Sequence, residues 1–481
     1  MESNFNNGKT HNEEVKILSQ EEIRRRDRML NGNSMSILFS IALPLVFYNS
    51  IGQIFQFIDT FIAANLSAGV VSTVSFVMQI EKMLLAVGSG LSIGGGVLIG
   101  RSFGAGKMEE VKSLVSTIFF VAVGMGLFIL LAVIPLMGPV LKFFRMPENL
   151  IGQGTLYSDL IVAGVIFQFI NTIFFSIQKA RGNTKIIMWG NLLVIFLKTS
   201  LNVLAVFFIN AGKIPSDKGI FMLPLSSFTA HFVLTVIALI NLTSRKNPFR
   251  LSFKACTFTK NFVLKLSSLS VPVFFEKFIF ALGKAIVNSL CASFSPTAVG
   301  ALGVSDRICG FATNPINGVQ EAESSLVSNN LGNKNVERAI GFFWRSLLLT
   351  LSYVFVVFVI TGIFKNNIIA AFAKGNVDFA GEIEKIYFLE RLDNFLIAVN
   401  VSVMGLLYGF GKTKVTMVLN IVRLFGYRIP PLLLFLKVPF FTEKLGLYGV
   451  GLTMLISNSL VGITAGIVAV NFIRKVKKQL K

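Results

Sequence analysis

Apolar residues fall in twelve runs of about 20, each separated from the next by a short polar or charge-bearing stretch. The runs lie near 37–63, 74–100, 113–135, 155–178, 186–209, 219–242, 268–291, 297–325, 340–363, 385–409, 415–436 and 447–473. A helix rises about 1.5 Å per residue, so each run can cross a hydrocarbon core of about 30 Å. Inside that core a chain has no water to hydrogen-bond its backbone, and a helix satisfies every peptide group internally. The pattern therefore predicts an all-α integral membrane protein with twelve transmembrane helices. The tenth helix is expected to begin near 385, or as late as Leu392.

The pattern also repeats. "GNTKIIMWGN" from Gly182 is echoed by "GKTKVTMVLN" from Gly411, an offset of 411 − 182 = 229. "FGAGKMEEV" (103–111) is echoed by "LGNKNVERA" (331–339), with Gly104 and Gly332 separated by 228. "LPLVFYN" is echoed by "VPVFFEK", with Pro44 and Pro272 again separated by 228. Three echoes in one order and nearly one register indicate a duplication of a six-span unit. Six is even, so the second copy enters the membrane in the same orientation as the first. Such repeats are related by an axis along the membrane normal, and their substrate path usually lies between them. The expected organisation is a polar tail (1–34), a six-helix lobe (35–242), a basic linker (243–267), a second six-helix lobe (268–473) and a basic tail (474–481). Gly182 and Gly411 are expected to end helices, with the next helix starting at each Thr-Lys.

Composition agrees with a membrane setting. Of 481 residues, 53% are hydrophobic and 14% charged, against about a quarter charged in soluble domains. The net charge of +21 raises nucleic-acid binding as an alternative. The basic residues, however, sit at both ends, in the linker and in every second loop, whereas the stretches 64–73 and 292–298 carry no charge. This is the positive-inside distribution; it places both termini in the cytoplasm and accounts for the charge without nucleic acid. Residues 1–34 are polar and the first apolar run is of full span length, so no cleaved leader is expected. Three scattered cysteines and two histidines suggest neither a disulfide framework nor a metal site.

Candidate chemistry lies where polar side chains enter the apolar runs, because a charge at mid-membrane costs about 2.5–3.5 kcal/mol on insertion scales. Asn49, Gln53, Gln56 and Asp59 recur on one face of the first helix. Asn171 lies in the fourth. Asn191, Lys198 and Asn202 share a face of the fifth. In the seventh, Lys277, Lys284 and Asn288 align beside Glu276. Arg307, Asn314, Asn317 and Glu321 line up in the eighth, and Glu390, Asp393 or Asn394, and Asn400 in the tenth. Buried Asn and Gln also serve as plain helix–helix glue, and both readings stand for each amide. Glu81, Lys82, Asp306 and Arg307 fall near span ends and fit ordinary ion pairs.

Over about 36–470 the chain resembles the multidrug and toxic compound extrusion (MATE) family. The resemblance rests on "LPLVFYNSIGQIFQFIDTFIAANL", "GRSFGAGKMEEVK", "RGNTK" and their second-half counterparts, with "PVFFEKFIF", "GFGKTK" and "RLFGYRIPPL". It implies alternating access between two lobes and export of drug-like, often cationic, compounds against Na⁺ or H⁺. By the same resemblance Asp59 is the helix 1 coupling carboxylate, Thr229 a neighbour lining its site, and Glu276 the acidic residue of helix 7. The family's Asn-x-x-x-Asp of helix 5 reads Lys198 and Asn202 here, which puts the coupling ion in question. Lys198 is expected to pair with Asp59, or else to reach a headgroup. Asp393 stands about one turn from the family's helix 10 acid.

The expected partners are a small organic substrate and membrane lipid around a monomer in the plasma membrane. No cofactor is expected beyond Na⁺ or H⁺ as coupling ion, with a Na⁺ site the one metal site in view. Residues proposed for coupling are Asp59, Lys198, Asn202, Thr229 and Glu276. Those proposed for the cavity are Asn49, Gln53, Gln56, Asn171, Lys284, Asn288, Asn314, Asp393 and Asn400. The runner-up is a lipid or lipid-linked-saccharide flippase, for which Lys198, Lys277 and Lys284 would grip a pyrophosphate. An enzyme is disfavoured because no catalytic constellation is present.

Overall fold

A computed structural model describes residues 18–66, 68–143, 148–212, 219–245, 247–294, 296–373 and 375–480; within these, the side chains of 56–76, 143, 148–150, 153, 210, 219–220, 293–294 and 296 are outside the description. Twelve long helices are present among these residues. In the first half they are α1 (Ser34–Leu66), α2 (Ala68–Gly104), α3 (Met108–Val133), α4 (Glu148–Ala180), α5 (Thr184–Asn210) and α6 (Gly219–Thr243). In the second they are α7 (Lys260–Phe294), α8 (Pro296–Gly332), α9 (Val336–Ile363), α10 (Val377–Gly409), α11 (Thr413–Lys437) and α12 (Tyr448–Leu480).

The helices are longer than the apolar runs that predict them, because their ends carry polar turns. The stretch 64–73 is not a loop, since α1 continues to Leu66 and α2 starts at Ala68. The linker is likewise shorter, with 260–267 forming the first turns of α7, and α10 begins well before Leu392. Ten of the twelve are long and apolar enough to cross a membrane by length and composition.

Helix boundaries carry the duplication at residue resolution. The α1–α2 break recurs between Phe294 and Pro296, and the ends of α2 and α8 differ by 332 − 104 = 228. Further along, the starts of α4, α5 and α6 recur at α10, α11 and α12 with offsets of 229. The caps recur too. Gly182 has φ 73°, its N–H bonds Lys179 O at 3.0 Å, and Asn183 N–H bonds Gln178 O at 2.9 Å. Gly411 has φ 69°, with the matching bonds from Gly411 to Tyr408 O and from Lys412 to Leu407 O. Both are Schellman caps, which need a residue with positive φ at that place. The caps at α2 and α8 follow the same plan, but Gly106 (φ 77°) is matched by Lys334 (φ 60°).

The described residues form two compact units that do not divide at mid-chain. One draws on Met1–Asn33, Ile54–Phe278 and Ser328–Asn335; the other on Ser34–Gln53, Ile279–Val327 and Val336–Lys481. Small residues explain the exchange of segments. In the first unit a Cβ on Gly90 would lie 2.6 Å from Ser270 O and 3.2 Å from Phe274 N, so α2 receives the backbone of α7. In the second, a Cβ on Gly318 would lie 2.7 Å from Leu45 C and Val46 N, so α8 receives α1. Gly318 is Gly90 plus 228, and Phe274 is Val46 plus 228. The first unit also holds a reciprocal contact. A Cβ on Gly104 would meet Asn329 O at 2.0 Å, and one on Gly332 would meet Arg101 O at 2.0 Å. Asn329 and Arg101 are themselves 228 apart, as expected when two copies of one helix end meet about a twofold axis.

Part of the polar tail folds onto the first unit as an amphipathic helix, Gln20–Asn31. Ser19 and Glu22 form a capping box at its start. Met29 and Leu30 are buried, Arg26 donates to Gly104 O at 3.2 Å, and Asn330 donates to Met29 O at 3.3 Å. Glu22 also pairs with Arg181, which donates to Asn247 at 3.2 Å and lies over the Phe249 ring at 4.8 Å. Burial pushes the Arg181 guanidinium below its ordinary value, and the Glu22 carboxylate draws it back up.

Two predictions follow from these contacts. Lys334→Gly should raise thermal stability in detergent by about 1 kcal/mol, since a side chain is penalised at positive φ; no gain, or a loss, would count against the cap assignment. Glu22→Leu and Arg181→Leu should each destabilise by about 3 kcal/mol, whereas the double variant should cost less than their sum. A fully additive double variant in a thermal-unfolding cycle would show that the pair is not coupled.

Candidate functional site

A cluster of charge lies in the second unit, where α7, α8, α10 and α11 contribute acids and bases and α12 contributes neutral partners; Glu390, Asp393 and Arg428 are buried, while Lys284 and Asp306 are partly exposed. Three acids and three bases are involved: Asp306, Glu390 and Asp393 with Lys284, Arg423 and Arg428. Lys284 Nζ donates to Asp306 Oδ2 at 3.0 Å. The Ser305 hydroxyl, one residue before Asp306, donates to the buried Glu390 carboxylate. Asp393 lies three residues along α10 from Glu390 and so on nearly the same face. It is 1% exposed and accepts from Asn458 Nδ2 at 2.8 Å.

Asn458 is the hub of this network. Its Oδ1 accepts from Arg423 Nε at 3.1 Å and from Arg428 Nη2 at 2.7 Å, while Arg428 Nε donates to Ser457 Oγ at 3.0 Å. Arg423 also lies over the Phe280 ring at 5.3 Å. The two arginines are five residues apart, about 140° around an α-helix and therefore on different faces. They converge because α11 contains a π-helical segment, Val422–Arg428, in which i→i+5 bonding stacks residues five apart. Its cause lies just beyond. Pro430 and Pro431 have no N–H to offer the carbonyls four residues back, and their rings crowd that turn, so the helix widens there.

The remaining expected residues divide between the units. Gln53 is buried in the second unit, donating to Arg307 O at 3.1 Å and accepting from Asn314. These two amides join α1 to α8, which is the glue role. Asn49 and Asn288 are partly exposed, and Asn400 is buried with its Oδ1 unpartnered among the described residues. In the first unit Asn202 accepts from Ser226 Oγ at 2.5 Å. Asn171 donates to His231 O at 3.0 Å and accepts from Thr235 at 3.1 Å. Lys198 is partly exposed and within electrostatic reach of His231. Thr229 bonds back to Leu225 O of its own helix at 2.8 Å. Glu276 is buried beside Lys277, 3.5 Å away. Gln56 and Asp59 fall among the undescribed side chains, and with them the pairing of Lys198 with Asp59. Glu81 takes a hydrogen bond from Gln168 at 2.9 Å.

Sequence reasoning reached Lys284, Glu390 and Asp393 but missed Arg423, Arg428, Ser305 and Asn458. The two arginines stood in a quoted motif, and α-helical periodicity put them on different faces. The double proline was the available sign that this periodicity fails there.

Twelve helices in a doubled order, most of them long and apolar enough to span a bilayer, define a membrane protein of the duplicated six-helix class. The MatE family model matches twice, over residues 44–204 and 272–434, about two-thirds of the chain, and the chain belongs to that family. Among relatives, the probable multidrug resistance protein NorM of Thermotoga maritima is 24% identical over 421 residues, covering 87% of this chain and 88% of that one. The probable multidrug resistance protein NorM of Streptococcus pneumoniae R6 is 21% identical over 448 residues, covering 88% and 93%. A solved structure described as the outward-facing conformation of a multidrug resistance MATE family transporter of the MOP superfamily superposes with a TM-score of 0.86. It is 16% identical, and the match covers 94% of this chain and 98% of that one.

Arg428 makes the most exacting contacts in the network, which a lysine cannot reproduce because it lacks the planar fork. Arg428→Lys should lower stability in detergent by about 1–3 kcal/mol, and Arg428→Leu by more, since it leaves the acids short of a counter-charge. Wild-type melting of either variant would contradict the assignment of this network as compensated buried charge.

Proposed function

We propose that this protein is a proton-coupled exporter of drug-like organic compounds, working by alternating access with both termini in the cytoplasm. The observation that carries the coupling is the second-unit network, in which Glu390 and Asp393 are buried carboxylates held by neutral donors, Ser305 and Asn458. Lys284, Arg423 and Arg428 surround them with fixed positive charge. A site with as many bases as acids has no surplus negative charge to attract Na⁺, whereas a proton changes the charge of one carboxylate and needs no coordination shell. Protonation of Glu390 or Asp393 leaves the network with one uncompensated positive charge. That imbalance costs free energy in hydrocarbon and favours rearrangement of the helices that supply the bases. Family membership and the names of the relatives support the export of drug-like compounds.

Asp59 is kept as a second coupling candidate on its place in α1, with Lys198, Asn202 and Thr229 as its proposed neighbours and Glu276 as an alternative acid. The flippase reading loses support because Lys277 and Lys284 already stand beside carboxylates.

Uptake of several fluorescent organic cations into everted vesicles, with ΔpH and ΔpNa imposed separately, tests the proposal. Accumulation should follow an inward-acid ΔpH and fall at least tenfold in Glu390→Gln, with the protein still present and folded. Uptake that follows ΔpNa alone, or is unchanged in Glu390→Gln, would refute proton coupling at this network.

A further inference from the structure

The second unit has a cavity of about 620 Å³ at the end of the helices where α10, α11 and α12 meet the start of α9. Its walls are apolar: Phe410 and Phe472 stand edge to face with ring centroids 5.0 Å apart, and Val415 and Val468 flank them. Lys412 and Lys475 also line it. Both lysines are exposed, and neither has a carboxylate within ion-pair distance among the described residues. Glu337 follows the lining residue Val336 but does not line the cavity. Lys414, Arg474, Lys477 and Lys478 belong to the same helix ends and outnumber Glu337 there.

We infer that this cavity is a binding site for one acidic glycerophospholipid, whose phosphodiester is held between Lys412 and Lys475 and whose acyl chain lies against Phe410, Val415, Val468 and Phe472. The two parts of the site call for two parts of one ligand. Aromatic and aliphatic walls of this extent are not filled by a free phosphate, which would remain hydrated and leave the apolar surface wet. Two ammonium groups without acidic partners are not satisfied by a zwitterionic headgroup, whose own choline or amine carries the compensating charge. An anionic lipid supplies both, and basic pockets between helices at the cytoplasmic leaflet bind such headgroups. The site lies where the helices end, at headgroup depth. The inference shares with the proposed function only the cytoplasmic placement of this end and does not depend on transport.

Full-length, delipidated protein in detergent is titrated with phosphatidylglycerol or phosphatidylcholine of identical acyl chains and read by native mass spectrometry. Wild type should bind one phosphatidylglycerol in preference to phosphatidylcholine. Lys412→Ala/Lys475→Ala should weaken that binding about 25-fold, on the order of a factor of five per basic residue. Lys477→Ala/Lys478→Ala should change it by no more than about twofold, and Val468→Trp, which narrows the apolar part of the cavity and keeps the charges, should weaken it. Equal retention of the two lipids by wild type would overturn the inference. So would equal losses in the two double-lysine variants, which would show diffuse attraction to a basic surface. Displacement by inorganic phosphate at millimolar concentration would likewise overturn it, by showing an anion site without a lipid.

Discussion

A charge in hydrocarbon must have a partner. Water is absent to solvate it, and each unpaired ion costs several kcal/mol. In the second unit the buried Glu390, Asp393 and Arg428 meet this constraint mostly through Asn458 and two serines, while the partly exposed Lys284 and Asp306 form a direct ion pair. Neutral go-betweens have a consequence. A carboxylate held by an amide or a hydroxyl can gain or lose a proton without breaking a salt bridge, while nearby guanidinium groups still register the change in charge. The π-helical turn in α11 belongs to the same solution, because it brings Arg423 and Arg428 onto one amide oxygen.

Duplication supplies the frame around that network. One helix plan is used twice, and so are its close contacts: Gly90 on α7 and Gly318 on α1, Gly104 on Asn329 and Gly332 on Arg101. Glycine at these places lets backbones approach at distances no side chain permits, and packing of this kind drives helix association in membranes. The first part of α1 and the first part of α7 thereby pack outside the half of the chain that encodes them. The N-terminal helix then ties the ends of α2 and α8 to Arg181 through polar contacts that burial strengthens.

Much of this was legible in the sequence. Twelve apolar runs gave twelve helices, and an offset of 228–229 in three motifs recurs in helix ends and caps. Gly182 and Gly411 behave as a helix-capping pair, as their spacing from the next Thr-Lys suggested. What was not legible has physical causes. The polar first turns of α7 from Lys260 and last turns of α8 to Gly332 were missed, since hydropathy reads a polar turn that continues a helix as it reads a loop. Gln53 and Asn314 lay on plausible functional faces, and only coordinates show that they bond one another. Arg423 and Arg428 were hidden by a local change of helical period. Asn458 lay hidden because a single amide in an apolar helix carries no periodic signal.

The account stands most directly on the claim that buried carboxylates of the second repeat exchange protons in return for substrate. In proteoliposomes loaded with a fluorescent organic cation and an internal pH indicator, an outward gradient of the cation alone should drive protons inward. The internal pH should fall in wild type at the same rate with or without Na⁺, and should stay flat in Glu390→Gln. An internal pH that stays flat in wild type while the cation leaves only when external Na⁺ is present would contradict it.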